Sequence, residues 1–305
     1  MSLLGDLPSS AAAAVIRLRS LGDCVLTTPA LSILKQARPD LRIAVVVEER
    51  FAPVFTGNPD IERILPPSPA LLRAFRPHLC LNLHGGTRSL VLTGASGARF
   101  RAGFQHFRYS SAFNVRLPRA QEVFGTERVV HTAEHIASAF FHLGAPRCEI
   151  PRASLFADAA LLPEIRSPYA VLHPVAATPA KTWRAEGFLA VARHLSRDGG
   201  LEPVFIAGPG EDLSSFAEHR TLTGLPLERI KALLSRAALF VGNDSGPAHM
   251  AAAFGVPVVA LFGPSNATVW APWRTQSRVL QNKEDITRIA LEDVLAACDC
   301  RRVTQ

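Results

Sequence analysis

Several short loops of this 305-residue chain carry residue types that bind phosphates and hydroxyl groups. The loop Gly242-Asn243-Asp244-Ser245-Gly246-Pro247-Ala248-His249 joins an apolar run to a segment with helical spacing. The free N–H groups of Ser245 and Gly246 are suited to a phosphate, and Asp244 is suited to sugar hydroxyls. The alternative is that Asp244 and Ser245 only cap the helix. Asn243 stands where a Gly-x-Ser-x-Gly motif needs its first glycine, which disfavours a serine hydrolase.

Two further loops of the second half carry an isolated charge. Lys181, one of only four lysines, precedes a predicted helix and is suited to clamp a phosphate, although a lone loop lysine is usually just solvated. Glu211 follows Gly208-Pro209-Gly210, where a carboxylate can accept hydrogen bonds from ribose hydroxyls. Glycine and proline mark any turn, so this second signal is weak.

In the first half, Asp23 closes the turn Ser20-Leu21-Gly22-Asp23. A carboxylate there is either a helix N-cap or a general base aimed at a hydroxyl nucleophile. Arg88, with Arg101 and Arg108 downstream, is a candidate for binding anionic groups of an acceptor, the alternative being ordinary surface arginines. No Asp-x-Asp occurs in the sequence, so a metal-bridged sugar diphosphate is not supported.

These loops are positioned by alternating apolar runs and helical segments, which predict parallel sheets flanked by helices. The predicted strands are Ala12–Leu18, Leu41–Val47, Leu79–Leu83, Arg99–Gly103, Tyr169–His173, Pro203–Ala207, Ala238–Val241 and Val256–Phe262. The predicted helices are Val25–Ala37, Glu134–Leu143, Ala185–Leu195, Leu227–Arg236 and Ala248–Phe254. Met1–Ser10 is predicted to be a loose leader, and the proline-rich segment Ala145–Pro168 an interdomain linker.

Composition narrows the class of protein. A 48% hydrophobic, 19% charged chain is not disordered, and its apolar runs are too short to span a membrane. The five cysteines are scattered and favour neither disulfides nor zinc, with an incidental role expected for Cys298 and Cys300. We find no signal-peptide pattern and expect a cytoplasmic protein.

The net charge of +7 is unevenly distributed, with 18 basic and 12 acidic residues in 1–160 against 15 and 14 in 161–305. The excess of +6 in the first part suits an anionic partner. Nucleic acid is the weakest candidate for that partner, because the arginines are not interleaved with aromatic residues.

Together these loops resemble the heptosyltransferase family of bacterial glycosyltransferases (glycosyltransferase family 9), which add heptose to the lipopolysaccharide inner core. The resemblance covers nearly the whole chain. The segments that carry it are Val15–Leu34, Gly57-Asn58-Pro59-Asp60, Lys181-Thr182-Trp183, Phe240–Pro264 and Trp270-Ala271-Pro272-Trp273.

The resemblance implies an α/β protein of the GT-B type, with two Rossmann-like parallel-sheet domains facing a central cleft. The acceptor would bind residues 1–155 and the nucleotide sugar residues 156–290, with 291–305 forming a C-terminal helix and tail. It implies a metal-independent, inverting transfer from ADP-heptose to an anionic glycolipid, without a cofactor. Peripheral contact with the inner membrane is a further expectation.

The same resemblance makes Asp23 the catalytic base. The donor-binding candidates are Thr178, Lys181, Glu211, Leu225, Asp244, Ser245, Gly246 and His249. The acceptor-binding candidates are Ser20, Gly22, Arg88 and Arg101.

Departures from the family pattern leave the donor sugar open. Only Thr178 remains of a hydroxyl pair before Lys181, and Val175 replaces a glycine. The alternatives are a related transferase with another nucleotide sugar or acceptor, a sugar-nucleotide epimerase, and a nucleotide-binding module without catalysis. A dinucleotide dehydrogenase is weaker still, because no Gly-x-Gly-x-x-Gly follows a predicted strand.

Overall fold

The protein is described here by a computed structural model that covers residues 2–165 and 168–299. Its contacts divide it into two compact units, Met1–Phe156 and Ala157–Gln305. Each unit contains a six-stranded parallel sheet within the described ranges. The predicted α/β class with two parallel sheets is therefore confirmed.

The sheet of the first unit has the strand order β3-β2-β1-β4-β5-β6. Its strands are β1 (Ala12–Ile16), β2 (Arg42–Val46), β3 (Arg63–Leu65), β4 (Leu79–Asn82), β5 (Phe100–Phe104) and β6 (Val115–Leu117). β1 is buried at every position and pairs in parallel with β2 and β4 on its two sides. Because parallel strands end at one edge, the loops after β1, β2 and β4 are neighbours there.

The helices of the first unit are α1 (Leu21–Ala37), α2 (Pro69–Ala74), α3 (Thr87–Ala95), α4 (Ala120–Phe124) and α5 (Thr132–Leu143). The prediction that the first helix begins at Val25 is wrong, since α1 already begins at Leu21. Ser20 is its N-cap, and the Asp23 carboxylate accepts from the Ser20 N–H at 3.4 Å. Asp23 is thus the third residue of the helix rather than its cap, as in a capping box.

The predicted loose leader is packed, and the predicted linker, which contains the boundary between the two units, is partly packed as well. In the leader, Leu4 and Leu7 are buried, and Arg38 donates hydrogen bonds to the carbonyls of Leu4 and Pro8. In the predicted linker, Leu155 is buried along with Ile150 and Ala153. These apolar residues anchor the part of the segment before Ala157 to the first unit, which the composition of the segment did not indicate.

The sheet of the second unit has the order β12-β11-β10-β7-β8-β9. Its strands are β7 (Tyr169–His173), β8 (Glu202–Ala207), β9 (Arg220–Thr223), β10 (Leu239–Asn243), β11 (Val258–Phe262) and β12 (Ser277–Gln281). β7 and β10 are buried throughout and lie side by side at the centre of the sheet. Their carboxyl ends therefore bring the loops around Lys181 and Asp244 together.

The helices of the second unit are α6 (Ala185–Arg197), α7 (Leu227–Ser235), α8 (Gly246–Ala253), α9 (Ala267–Trp270) and α10 (Leu291–Asp299). Trp183, 1% exposed, packs its ring on Phe188 and against Gly187 of α6, where a Cβ would come within 2.5 Å of the indole. Helix α10 packs on α6 within this unit, and Cys298 is buried in the same core. Cys300, the other cysteine expected to be incidental, lies outside the described residues.

Among residues 2–165 and 168–299, no helix is long and apolar enough to cross a lipid bilayer.

Candidate functional site

Lys181 and Asp244 form an ion pair at the carboxyl edge of the second sheet. The Lys181 Nζ lies 2.9 Å from the Asp244 Oδ2, with the aspartate side chain 9% exposed and the lysine side chain 35% exposed. Lys181 ends a short 3-10 turn (Pro179–Lys181) after β7, and Asp244 follows β10 directly. The structure thus brings together two of the residues that the sequence assigned to donor binding.

Asn243 fixes the loop that carries Lys181. Its side chain is fully buried, accepts from the Trp183 N–H at 3.1 Å and donates to the Pro174 carbonyl at 2.8 Å. One amide group therefore joins the end of β10 to both ends of the Pro174–Trp183 loop. Sequence reasoning missed this role, although an amide ending an otherwise apolar strand is a signal for a buried partner.

A close backbone approach holds the same loop from its other side. Gly263 follows β11, and a Cβ at this position would lie 2.4 Å from the Ala180 carbonyl oxygen. Only glycine lets these two backbone segments pass each other at this distance. Gly263 is a second positioning residue that the sequence analysis did not identify.

The amino end of α8 lies beside this ion pair and carries backbone N–H groups that make no backbone hydrogen bond among the described residues. Ser245 is the N-cap residue and Gly246 the first residue of the helix, so their amides are not used by the helix itself. The Ser245 hydroxyl makes its hydrogen bond, at 3.1 Å, with Nδ1 of His173, the last residue of β7. Burial lowers the pKa of His173 to about 4, so this histidine is neutral at pH 7. The positive end of the helix dipole and the Lys181 ammonium together favour an anion here.

The remaining donor candidates lie around the same edge. Thr178 is exposed and is the N-cap residue of the 3-10 turn, with its carbonyl accepting from the Lys181 N–H at 3.0 Å. His249 lies one turn into α8 and is buried.

Glu211 and Leu225 lie on adjoining turns of the second unit. The Glu211 carboxylate accepts from the Gly208 N–H at 2.5 Å, which folds it back over its own turn. Leu225 follows Gly224, whose N–H donates to the Ala207 carbonyl at 3.1 Å. The two turns therefore meet at the ends of β8 and β9, beside the ends of β7 and β10.

In the first unit, the Asp23 carboxylate is held by Arg17 and Ser20. Its Oδ1 lies 3.2 Å from Nη1 of Arg17, and its Oδ2 accepts from the Ser20 hydroxyl at 2.8 Å. Arg17 is 7% exposed, and burial lowers its pKa while the Asp23 carboxylate acts in the opposite direction. The arginine orients the aspartate, and the sequence analysis had not singled it out.

His84 adds a neutral side chain to this group. It lies in the loop after β4, and burial together with the charges of Arg17 and Arg19 lowers its pKa. Because the ordinary histidine pKa is already near 6.5, His84 is neutral at pH 7. Asp23 thus contacts a buried guanidinium and a hydroxyl, and a neutral imidazole lies near enough to interact with it electrostatically.

The acceptor candidates are not all brought together. Gly22 and Ser20 adjoin Asp23, and Arg88 lies in the first turn of α3, at the same edge, 3.5 Å from Glu48. Arg101, however, is near the amino end of β5 and bonds the Ala98 carbonyl, at the opposite edge of the sheet. The structure therefore separates Arg101 from the Asp23 turn.

Within the described residues, no group of three or more histidine, cysteine, aspartate or glutamate side chains is arranged to hold a metal ion.

The sequence of this chain is similar to those of known glycosyltransferases. The sequence profile described as "Glycosyltransferase family 9 (heptosyltransferase)" matches residues 70–291. The chain is 26% identical to lipopolysaccharide heptosyltransferase 3 of Escherichia coli K12, with 91% of this chain and 94% of that protein covered.

Solved structures show the same fold. The glycosyl transferase family 9 protein of Veillonella parvula is similar with a TM-score of 0.86 at 23% identity, covering 100% of this chain and 99% of that one. The E. coli heptosyltransferase WaaC, solved with ADP, gives a TM-score of 0.77 at 21% identity, covering 95% and 99%. The expected GT-B fold is confirmed by these likenesses. The profile match spans well over half of the sequence, and the chain belongs to glycosyltransferase family 9, the heptosyltransferases.

Proposed function

We propose that this transferase moves a heptose from ADP-heptose to a lipopolysaccharide inner-core acceptor, with inversion and without a metal ion. The observation that carries the proposal is the Lys181–Asp244 pair beside the free amides of α8. A cation and a helix amino end stabilise a diphosphate leaving group, which is the task that a divalent cation performs in other transferases.

The donor would be held by the second unit. Lys181 and the Ser245 and Gly246 amides bind the diphosphate, with Thr178 and His249 next to it. Asp244 accepts hydrogen bonds from the heptose hydroxyls once Lys181 turns to the phosphates.

The nucleoside would occupy the adjoining turns. Glu211 accepts hydrogen bonds from the ribose hydroxyls, and Leu225 packs on the adenine. Support for adenosine comes from the E. coli heptosyltransferase WaaC, which was solved with ADP.

The first unit would supply the base and the acceptor site. Asp23 takes the proton of the acceptor hydroxyl while the oxygen of that hydroxyl forms a bond to the anomeric carbon of the heptose. At the same time the bond between the anomeric carbon and the diphosphate breaks, and ADP is released. Arg17 and Ser20 keep the carboxylate oriented. Ser20, Gly22 and Arg88 contact the acceptor, whereas Arg101 is left out because it lies at the other edge of the sheet.

The place of action follows from the acceptor. We propose that the enzyme works in the cytoplasm, in peripheral contact with the inner membrane, because the acceptor is an anionic glycolipid and residues 1–160 carry a net charge of +6. Co-sedimentation with vesicles tests this point. Equal binding to neutral and anionic vesicles would remove its support.

Calorimetric titration with ADP, UDP and GDP in the presence of EDTA tests the donor. We expect ADP to bind, and turnover of ADP-heptose with an inner-core acceptor to continue in the chelator. Preference for UDP or GDP would keep the transferase and overturn the heptose donor. Binding of none of the three would favour a nucleotide-binding module that has lost catalysis.

A further inference from the structure

A cavity of about 710 Å³ opens at the carboxyl edge of the first sheet, beyond β5 and β6. No residue that lines it was assigned to the reaction. It lies at the edge that also carries Asp23, because β1, β4, β5 and β6 are successive parallel strands. Neighbouring strands are about 4.8 Å apart, so β5 and β6 lie about 10 and 14 Å from β1, the strand that leads to the Asp23 turn.

Two histidine rings form part of the cavity lining, with phenylalanine rings packed behind them. His106 and His135 line the cavity, and both rest on Phe104, with ring centroids 5.3 and 4.2 Å away. Phe107 meets His106 edge to face at 5.0 Å. Flat rings with C–H and N–H groups at their edges are suited to the apolar face and the hydroxyls of a pyranose.

The rest of the cavity lining is polar, and its carboxylates outnumber its cations. Arg119, Glu122 and Glu127 are part of it, and Glu122 is already engaged by Gln105 at 2.7 Å and by the Arg119 N–H at 3.0 Å. Glu127 is exposed and makes no ion pair among the residues that the structure describes. Burial lowers the pKa of both His106 and His135, so neither adds a positive charge at pH 7.

We propose that this cavity binds an uncharged sugar residue of the acceptor, through the His106 and His135 rings and the Glu127 carboxylate. A phosphorylated residue would meet two carboxylates against one guanidinium and is disfavoured. Anionic groups of the same acceptor are left to Arg88. The inference rests on the proposed function, to which it adds a second contact region for the acceptor and the charge of the residue bound there.

The test is calorimetry with a deacylated inner-core oligosaccharide, used before and after phosphatase treatment. We expect the dephosphorylated form to bind the wild-type protein, and Glu127→Gln to weaken that binding about tenfold through loss of a charged hydrogen-bond acceptor. His106→Ala should weaken it about fivefold. His142→Ala is the matched control, since His142 is exposed on α5 two turns beyond His135 and does not line the cavity.

ADP titration of the same proteins separates this inference from the proposed function. Unchanged ADP binding in all variants, with weaker oligosaccharide binding only in the two cavity variants, supports the cavity. The cavity assignment is overturned if Glu127→Gln and His106→Ala bind the oligosaccharide as tightly as the wild type does. It is also overturned if only the phosphorylated oligosaccharide binds. Failure of the wild type to bind ADP would overturn the donor assignment instead.

Discussion

The Lys181 ammonium is held 2.9 Å from the Asp244 carboxylate, so the cation proposed to bind the diphosphate is paired with the carboxylate proposed to bind the sugar. A donor has to displace this contact, replacing one anionic partner of Lys181 by another. Lys181 therefore has an anionic partner in both states, Asp244 without the donor and the diphosphate with it. The contact with Asp244 also keeps the ammonium at the site before the donor arrives, which lowers the cost of ordering a long side chain on binding.

Replacing Lys181 by alanine should weaken ADP binding by about ten- to a hundredfold, because a charge-assisted contact to phosphate is lost and Asp244 is left to repel the ligand. Asp244→Asn should leave ADP binding as tight as in wild type or tighter, while turnover of the sugar donor falls. Calorimetry with ADP and a steady-state assay measure the two effects. Lys283→Ala, at an exposed lysine of the same unit, is the control. Weaker ADP binding in Asp244→Asn would contradict the proposal that the diphosphate replaces Asp244 as the partner of Lys181.

The Gly263→Ala substitution should move the Lys181 loop without touching a charged group. A Cβ would meet the Ala180 carbonyl at 2.4 Å, and neither backbone can yield without shifting the turn. We expect a lower melting temperature and ADP binding weakened severalfold. Gly94→Ala is the matched control, because nothing lies within 4 Å of a Cβ at that position in α3. There alanine should stabilise the helix by about 0.5–1 kcal/mol. Unchanged ADP affinity in Gly263→Ala would show that the loop tolerates displacement.

Much of the fold could be predicted from the sequence, because a buried parallel strand is an uninterrupted apolar run. Tyr169–His173 was predicted to the residue and the other central strands to within two. The edge strands β3, β6, β9 and β12 were missed, since they are short or half-exposed and lack that signal.

The site was harder to predict wherever position depends on tertiary contacts. The loops that carry Lys181 and Asp244 were found from their place after strands, but Asn243 and Gly263 act through partners distant in the chain. Arg101 shows the reverse case. It lies inside the predicted strand Arg99–Gly103 rather than after it, which by itself places it away from the loops that carry the other candidates.

Stability should fall on acidification between pH 6.5 and 4, and His173 should account for part of the loss. Burial lowers the pKa of His173 to about 4, below its unfolded value near 6.5, so in this window the unfolded chain binds the extra proton. Protonation therefore favours unfolding, by an amount on the order of 2–3 kcal/mol at pH 4 for this group. Urea denaturation at pH 7 and pH 4.5 measures the effect, which His173→Gln should reduce.

His135 contributes to the same pH dependence, since its pKa is also lowered to about 4, by burial and then by His106 and Arg17. The slope should thus be reduced but not abolished in His173→Gln. His142→Gln, at an exposed histidine, is expected to leave the slope unchanged. An equal slope in wild type and His173→Gln would show that His173 is not kept neutral by the fold.

Asp23→Asn should separate catalysis from donor binding. Loss of a general base costs about 10²–10⁴-fold in rate, so kcat should fall by that factor while ADP affinity stays at the wild-type value. Asp40→Asn is the control, because Asp40 also pairs with an arginine, Arg38, but in the loop before β2 at the other edge of the sheet. Wild-type turnover in Asp23→Asn would exclude Asp23 as the base.

Arg17→Met tests whether the buried guanidinium acts through Asp23. Arg17 lies 3.2 Å from Asp23, and among the described residues the carboxylate would then keep only its hydrogen bonds with Ser20. We expect kcat to fall about tenfold with the acceptor KM little changed, and Arg17→Lys to restore part of the rate by supplying a cation in a less rigid geometry. In an Asp23→Asn background Arg17→Met should have no further effect on kcat, since two residues that act as one unit are not additive. A full additional tenfold loss in that double variant would mean that Arg17 acts on the reaction independently of Asp23.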